Sequence, residues 1–205
     1  MVQFIEAMTY RHATKEFNPD KKISDSEMKE ILEVGRLSPS SFGFEPWKFL
    51  VIENRELKKK ITPACFNQKQ IESSSAVVIY LSTKKNLKPQ STYLKELLKP
   101  RMPEEVVKFI LNMHEGMVSN FSEDKFNMWV KAQSYIAATN MMTYAASIKI
   151  DSCPMEGFDE EQVLDILGLN KEEYGVALIV PFGYRNSEPR EKTRRAFEDV
   201  VEFRK

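Results

Sequence analysis

The stretch SAVVIYLS, residues 75–82, decides the fold class. Ala76, Val77, Val78, Ile79, Tyr80 and Leu81 put apolar, mostly β-branched or aromatic side chains on both faces of an extended chain. A strand with two apolar faces belongs inside a sheet that is covered on both sides. Upstream, WKFLVIE (47–53) reads as a strand, and downstream YGVALIVPFGYR (174–185) reads as another. Helical patterns surround these strands. Phe4 to Tyr10 is a short one. Ser24 and Glu27 have capping-box spacing, and Met28, Ile31, Leu32 and Gly35 then share a face that should end before Pro39. Asp159 and Gln162 repeat the capping spacing, with Gly168 as the stop.

The middle of the chain is helical and apolar. Pro103 suits a first helical position. Val107, Ile110, Leu111, Met117 and Val118 then form a stripe that includes His114. Residues 125–149 give the longest helical pattern. Trp129, Ile136 and Thr143 mark one face, while Val130, Ala137, Met141 and Ile148 mark others. A helix apolar all round needs neighbours on every side, which a dimer supplies more easily than one small domain. Residues 84–102, Lys-rich and punctuated by proline, read as an exposed connection. The charged tail, 192–205, carries Phe197, Val200, Val201 and Phe203 and should dock in cis or on a partner. Strands and helices mix without βαβ alternation, so the class is α+β.

Composition narrows the function. Thirty basic residues balance thirty acidic ones, which argues against a nucleic-acid partner and for a small molecule. The longest apolar runs, 76–81 and 176–182, are too short to span a bilayer. The opening MVQFIEAMTYRH lacks a basic and apolar leader pattern, so a cytoplasmic protein is expected. Cys65 and Cys153 form no CxxC, and His12 and His114 are the only histidines, so two reduced thiols are expected rather than a metal site. GxGxxG after a strand, GxxxxGK[ST], GxSxG and HExxH are all missing. An enzyme of this composition would leave the hard step to a bound cofactor.

Four segments could carry chemistry. Arg11-His12-Ala13-Thr14-Lys15 offers donors to a phosphate, or is an exposed basic turn. Ser38 to Trp47 (SPSSFGFEPW) is a rigid loop whose hydroxyls and backbone could bind a flat heterocycle, or is an ordinary connection. Pro154-Met155-Glu156-Gly157-Phe158-Asp159 sets backbone amides beside a glycine at a helix start, or is a capped turn and nothing more. Lys192-Thr193-Arg194 is a second phosphate clamp or a solvated charged face.

In this order, RH-x-x-K, SPSS-x-x-x-x-PW-x-F, P-x-EGFD and K-x-R, the segments resemble the nitroreductase family, from about Ile5 to Val201. The resemblance implies one domain over 1–205, with a mixed central sheet flanked by helices and residues 84–125 as a variable lid. It further implies an intertwined homodimer with FMN at the interface and NADH or NADPH as electron donor. Electrons would reach a nitroaromatic or quinone-type acceptor by ping-pong transfer; the alternatives are a flavin or pteridine reductase and a low-turnover flavin-binding sensor. By the resemblance Arg11, His12, Ala13 and Lys15 match the segment that holds the FMN phosphate and ribityl end, and Lys192 and Arg194 match its second phosphate pair. Ser40, Ser41 and Gly43 match a loop contributed by the other subunit. Asn67 matches a contact to the pyrimidine edge, and Pro154, Met155, Glu156 and Gly157 match the turn facing flavin N5 and O4. No side chain is implied as acid, base or nucleophile. Ala13, Gly43, Glu45 and Gln70 depart from the common pattern. Glu45 would set an anion near the flavin, and Gln70 stands where relatives often carry lysine, so a lower reduction potential is expected.

Overall fold

The computed structural model describes residues 4–205, so the first three residues of the stretch read for a leader lie outside it. In chain order the elements are α1 (Phe4–Tyr10), α2 (Asp25–Arg36), β1 (Trp47–Ile52), α3 (Arg55–Ile61), α4 (Gln70–Ser73), β2 (Ala76–Thr83), α5 (Thr92–Leu98), α6 (Glu104–Val118), α7 (Glu123–Ser147), β3 (Asp151–Ser152), α8 (Glu160–Ile166) and β4 (Tyr174–Gly183). The strands form one sheet in the order β1-β2-β4-β3.

β2 is buried from Ala76 to Ser82, as its two apolar faces require. Val77, Ile79 and Leu81 point into a layer with Ile61, Ile71, Val163 and Leu164. Ala76, Val78 and Tyr80 point the other way, onto Ile31 of α2 and Met141 and Ala145 of α7. The β2–β4 register pairs Tyr80 with Leu178 but Leu81 with Val176, so Ala177 is an extra residue in β4. This bulge puts Ala177 and Leu178 in the same layer and resets the alternation.

Local signals are realised as read. The Ser24 hydroxyl accepts from the Glu27 amide, and the Glu27 carboxylate accepts from the Ser24 amide at 2.8 Å. Asp159 caps α8 by accepting from the Gln162 amide at 3.0 Å, and Gly168 follows at φ 64°. Three expectations change. Every ladder among the described strands is antiparallel rather than mixed, and parallel pairing is confined to the bridge Ala13↔Ser152. Four residues further on, Phe17 pairs antiparallel with Arg185.

Residues 84–102 are also more than an exposed connection. Ser91 caps α5, and Leu87, Leu94 and Leu98 are buried. With Phe44, Val107, Val118, Phe126 and Val130 they build a third core beside the two sheet layers. Pro103 stands one position earlier than expected, as the N-cap of α6. α7 joins the third core through Val130 and the sheet through Met141, while Met128, Tyr135 and Ile136 stay exposed.

Candidate cofactor site

The first part of the site is a cradle of cations at one end of the sheet. Asp151 of β3 is buried and binds Arg185, just past β4, at 2.7 Å. The Arg185 guanidinium also lies 4.1 Å from the centre of the Tyr10 ring. These contacts pin the chain leaving α1, and Thr14 donates to the Ser152 carbonyl at 3.2 Å. His12 turns inward, with Nδ1 3.2 Å from the Tyr10 carbonyl and Nε2 3.2 Å from Thr14 Oγ1. Lys15 donates to the Cys153 thiol at 3.7 Å. Burial pushes that thiol up, opposed by Lys15, Gln70 and Arg11.

The tail returns to the same place. Lys192 donates to the Met8 carbonyl at 2.5 Å and also to the Arg11 carbonyl. Burial, then Arg11 and Arg194, holds its ammonium below the usual lysine range. Burial and then Arg194 likewise lower Arg11. Arg11, Lys192 and Arg194 therefore converge from opposite ends of the chain, and their nearness disfavours the charge of Arg11 and of Lys192. An arrangement of that kind suits a bound anion.

The second part is the glycine turn. Met155 pairs with Ile179 through bonds of 2.9 and 3.1 Å. The Gly157 carbonyl accepts from Gln68 Nε2 at 2.8 Å, and the same amide reaches the Cys65 carbonyl at 3.0 Å. Gln70 is buried and donates to Gln68 Oε1 at 2.9 Å. A Cβ at position 157 would sit 3.1 Å from the Gln68 amide, so the turn and the 68–70 segment approach as closely as glycine allows. Tyr135 donates to the Glu156 carboxylate at 2.6 Å. A hollow of about 550 Å³ opens beside this turn, lined by Met128, Tyr135, Phe158 and Ala177 among others.

The remaining sequence candidates lie elsewhere. Asn67 is exposed at φ 55° and lines a different hollow with Thr62 and Lys69. Gln68, its neighbour, makes the link to the turn instead. The Ser40–Glu45 loop precedes β1 and runs beside the end of β2, where Thr83 donates to the Pro46 carbonyl at 3.0 Å. The cradle is at the opposite end, where Ala76 pairs with Phe182 and Ser152 pairs with Phe182 from the other side. Ser40, Ser41, Gly43 and Glu45 thus bond to one another, to α7 and to Arg101, and none of these bonds reaches the cradle. Sequence reasoning missed Gln68, Tyr135 and Arg101. The carboxamide pair at 68 and 70 was visible, but its partner is 89 residues away.

Fold and site together define an α+β protein that gathers cations from both ends of its chain at one end of the sheet, an arrangement suited to an anionic small molecule. The nitroreductase family profile matches residues 8–184, and the chain belongs to that family. A Staphylococcus haemolyticus protein assigned as an NAD(P)H nitroreductase is 43% identical over 210 residues, covering 97% of this chain and 96% of the relative. The Bacillus subtilis protein YfkO, assigned the same activity, is also 43% identical, over 98% of this chain and 97% of its own. A nitroreductase-like crystal structure from Exiguobacterium sibiricum, in complex with FMN, superposes with a TM-score of 0.84 at 27% identity, covering 100% of this chain and 98% of the other.

Proposed function

We propose that this chain is an FMN-dependent NAD(P)H oxidoreductase working as a homodimer, with one domain spanning 1–205 and residues 84–125 as its lid. The observation that carries this reading is the convergence of Arg11, Lys192 and Arg194: Lys192 donates to the Arg11 carbonyl, Arg194 helps lower Arg11, and Arg11 and Arg194 help lower Lys192. A phosphate dianion relieves that repulsion, so the residues fit the group. Bound FMN would supply two-electron redox chemistry between NADH or NADPH and a nitroaromatic or quinone-type acceptor, with ping-pong kinetics expected.

The chain's own residues position and shield. Arg11, Lys15, Lys192 and Arg194 hold the phosphate and ribityl end, with His12 and Ala13 lining the same segment. Pro154, Met155, Glu156 and Gly157 present backbone to the reactive edge, stiffened by Gln68 and Tyr135. Gln70, tied to Gln68, stands near the same edge, whereas Asn67 faces a separate hollow. Ser40, Ser41, Gly43 and Glu45 sit at the far end of the sheet, so they serve the flavin of the second copy. The acceptor enters the hollow beside Tyr135. No helix among the described residues is long and apolar enough to cross a membrane, and the cytoplasm is the proposed place of action.

The test is the visible spectrum of the purified protein, followed under anaerobic NADH and NADPH. A flavin spectrum that bleaches supports the reading, and a protein that neither carries nor takes up FMN overturns it. Charge-assisted bonds contribute about 1.5–3 kcal/mol each. Arg194→Ala should therefore weaken FMN binding roughly tenfold or more while leaving the acceptor preference of reconstituted enzyme unchanged. Unaltered FMN affinity in that variant removes Arg194 from the cradle.

A further inference from the structure

The loop before β1 is strained. Phe42, Gly43 and Glu45 all have positive φ, at 57°, 67° and 49°. Two of these are not glycine, and such conformations cost about 1–3 kcal/mol each unless the surroundings over-determine them. Three separate elements do so here. From α7, Gln133 Oε1 accepts the Ser41 amide at 2.9 Å. From within the loop, Ser40 Oγ accepts the Glu45 amide at 2.9 Å. From the α5–α6 connection, Arg101 donates to Glu45 Oε1 at 2.7 Å and to the Gly43 carbonyl at 3.4 Å. Phe44, fully buried, is the hydrophobic peg of the same arrangement.

The Arg101–Glu45 pair is half-exposed, and exposed ion pairs contribute about 0–1 kcal/mol to stability. Its consequence is therefore local: it fixes a strained turn and cancels one negative charge. We propose that Arg101 is a positioning residue for the flavin reaction, which neutralises Glu45 and holds the 40–45 loop in the shape it presents to the cofactor. This rests on the reading that the loop lies against FMN of the second copy. Reduction adds negative charge to the flavin, so an unpaired carboxylate nearby opposes it and an unpaired guanidinium favours it. The pair keeps the loop neutral, and the lid that carries Arg101 becomes electrostatically coupled to the redox centre.

The experiment is a redox titration of FMN-loaded wild type, Arg101→Gln, Glu45→Gln and the double variant, with FMN affinity measured alongside. Arg101→Gln should lower the midpoint potential, Glu45→Gln should raise it, and the double variant should return close to wild type. Arg101→Lys should retain most of the wild-type potential, since it keeps the charge. A purely structural pair would move both single variants in the same direction. If FMN binds and the single variants shift together or not at all, the assignment is overturned while the flavin reading stands. If wild type binds no FMN, the flavin reading itself fails. Should Arg101→Gln not fold, Glu45→Gln relative to wild type and Glu45→Gln/Arg101→Lys relative to Arg101→Lys should both raise the potential, and a fall or no change in either overturns the assignment.

Discussion

Lys58 shows what a single residue costs this fold. It is buried in α3, and its ammonium donates to the Ser74 carbonyl at 2.5 Å. Burial, with Lys22 and Arg55 nearby, lowers it from 10.5 to about 8. The unfolded chain binds that proton up to the ordinary lysine range while the folded chain releases it earlier, so stability rises with pH between the two values. Denaturant melts of wild type should therefore show a gain from about pH 8 toward 10.5. Lys58→Met should lack that gain, whatever its effect at neutral pH; an identical slope in both proteins would refute the assignment. Nothing in the sequence marks Lys58 as buried, because lysine on a charged helix reads as solvated. The cationic residues at 11, 15, 192 and 194 were legible for the opposite reason. Their type and their places at the two ends of the chain announce them, even though only the fold brings them together.

Among elements, legibility follows how local the signal is. The caps at Ser24 and Asp159 are closed within three residues, and both were readable. β2 was readable because a strand buried on both faces has no other composition. α5 was hidden by its lysines and prolines, since Leu87, Leu94 and Leu98 show their purpose only against α6 and α7. β3, two residues long, lies below any pattern. Packing between α6, α7 and the strained loop centres on His114, which stands 5.1 Å edge-on to Phe44 and 5.7 Å from Trp129. Its Nε2 is buried without a partner, and burial holds the ring below its ordinary value of 6.5. As pH falls through 6.5 the unfolded chain gains a proton that the folded chain refuses, so this contact loses stability on the acid side. His114→Phe keeps the aromatic packing and removes the titration. The stability difference in its favour should widen as pH drops below 6.5, and a pH-independent difference would show that the ring is not desolvated in solution.

At the scale of the molecule, the apolar character of α7 and the division of the site point to the same conclusion. Within one chain α7 leaves Met128, Tyr135 and Ile136 exposed, a strip at helical spacing. α1 lies against the same helix, with Phe4, Ile5 and Met8 exposed, and an apolar hollow of about 290 Å³ lies between them and α2. Exposed apolar side chains gathered on two packed helices are a common mark of an interface. The cradle and the 40–45 loop, held at opposite ends of one sheet, meet only if a second copy brings its loop to the first copy's cradle. In the proposed homodimer, closing the apolar strip and completing the site would be one event. Ile136→Glu, a charge placed in the strip but outside the cradle, should convert a dimer to monomers in sedimentation. The same substitution should weaken FMN retention, because each cofactor would lose the loop from the other copy. A variant that becomes monomeric yet holds FMN at wild-type affinity would confine the site to one chain. A variant that stays dimeric would put the interface on another face and leave the exposed α1–α7 surface to a different partner.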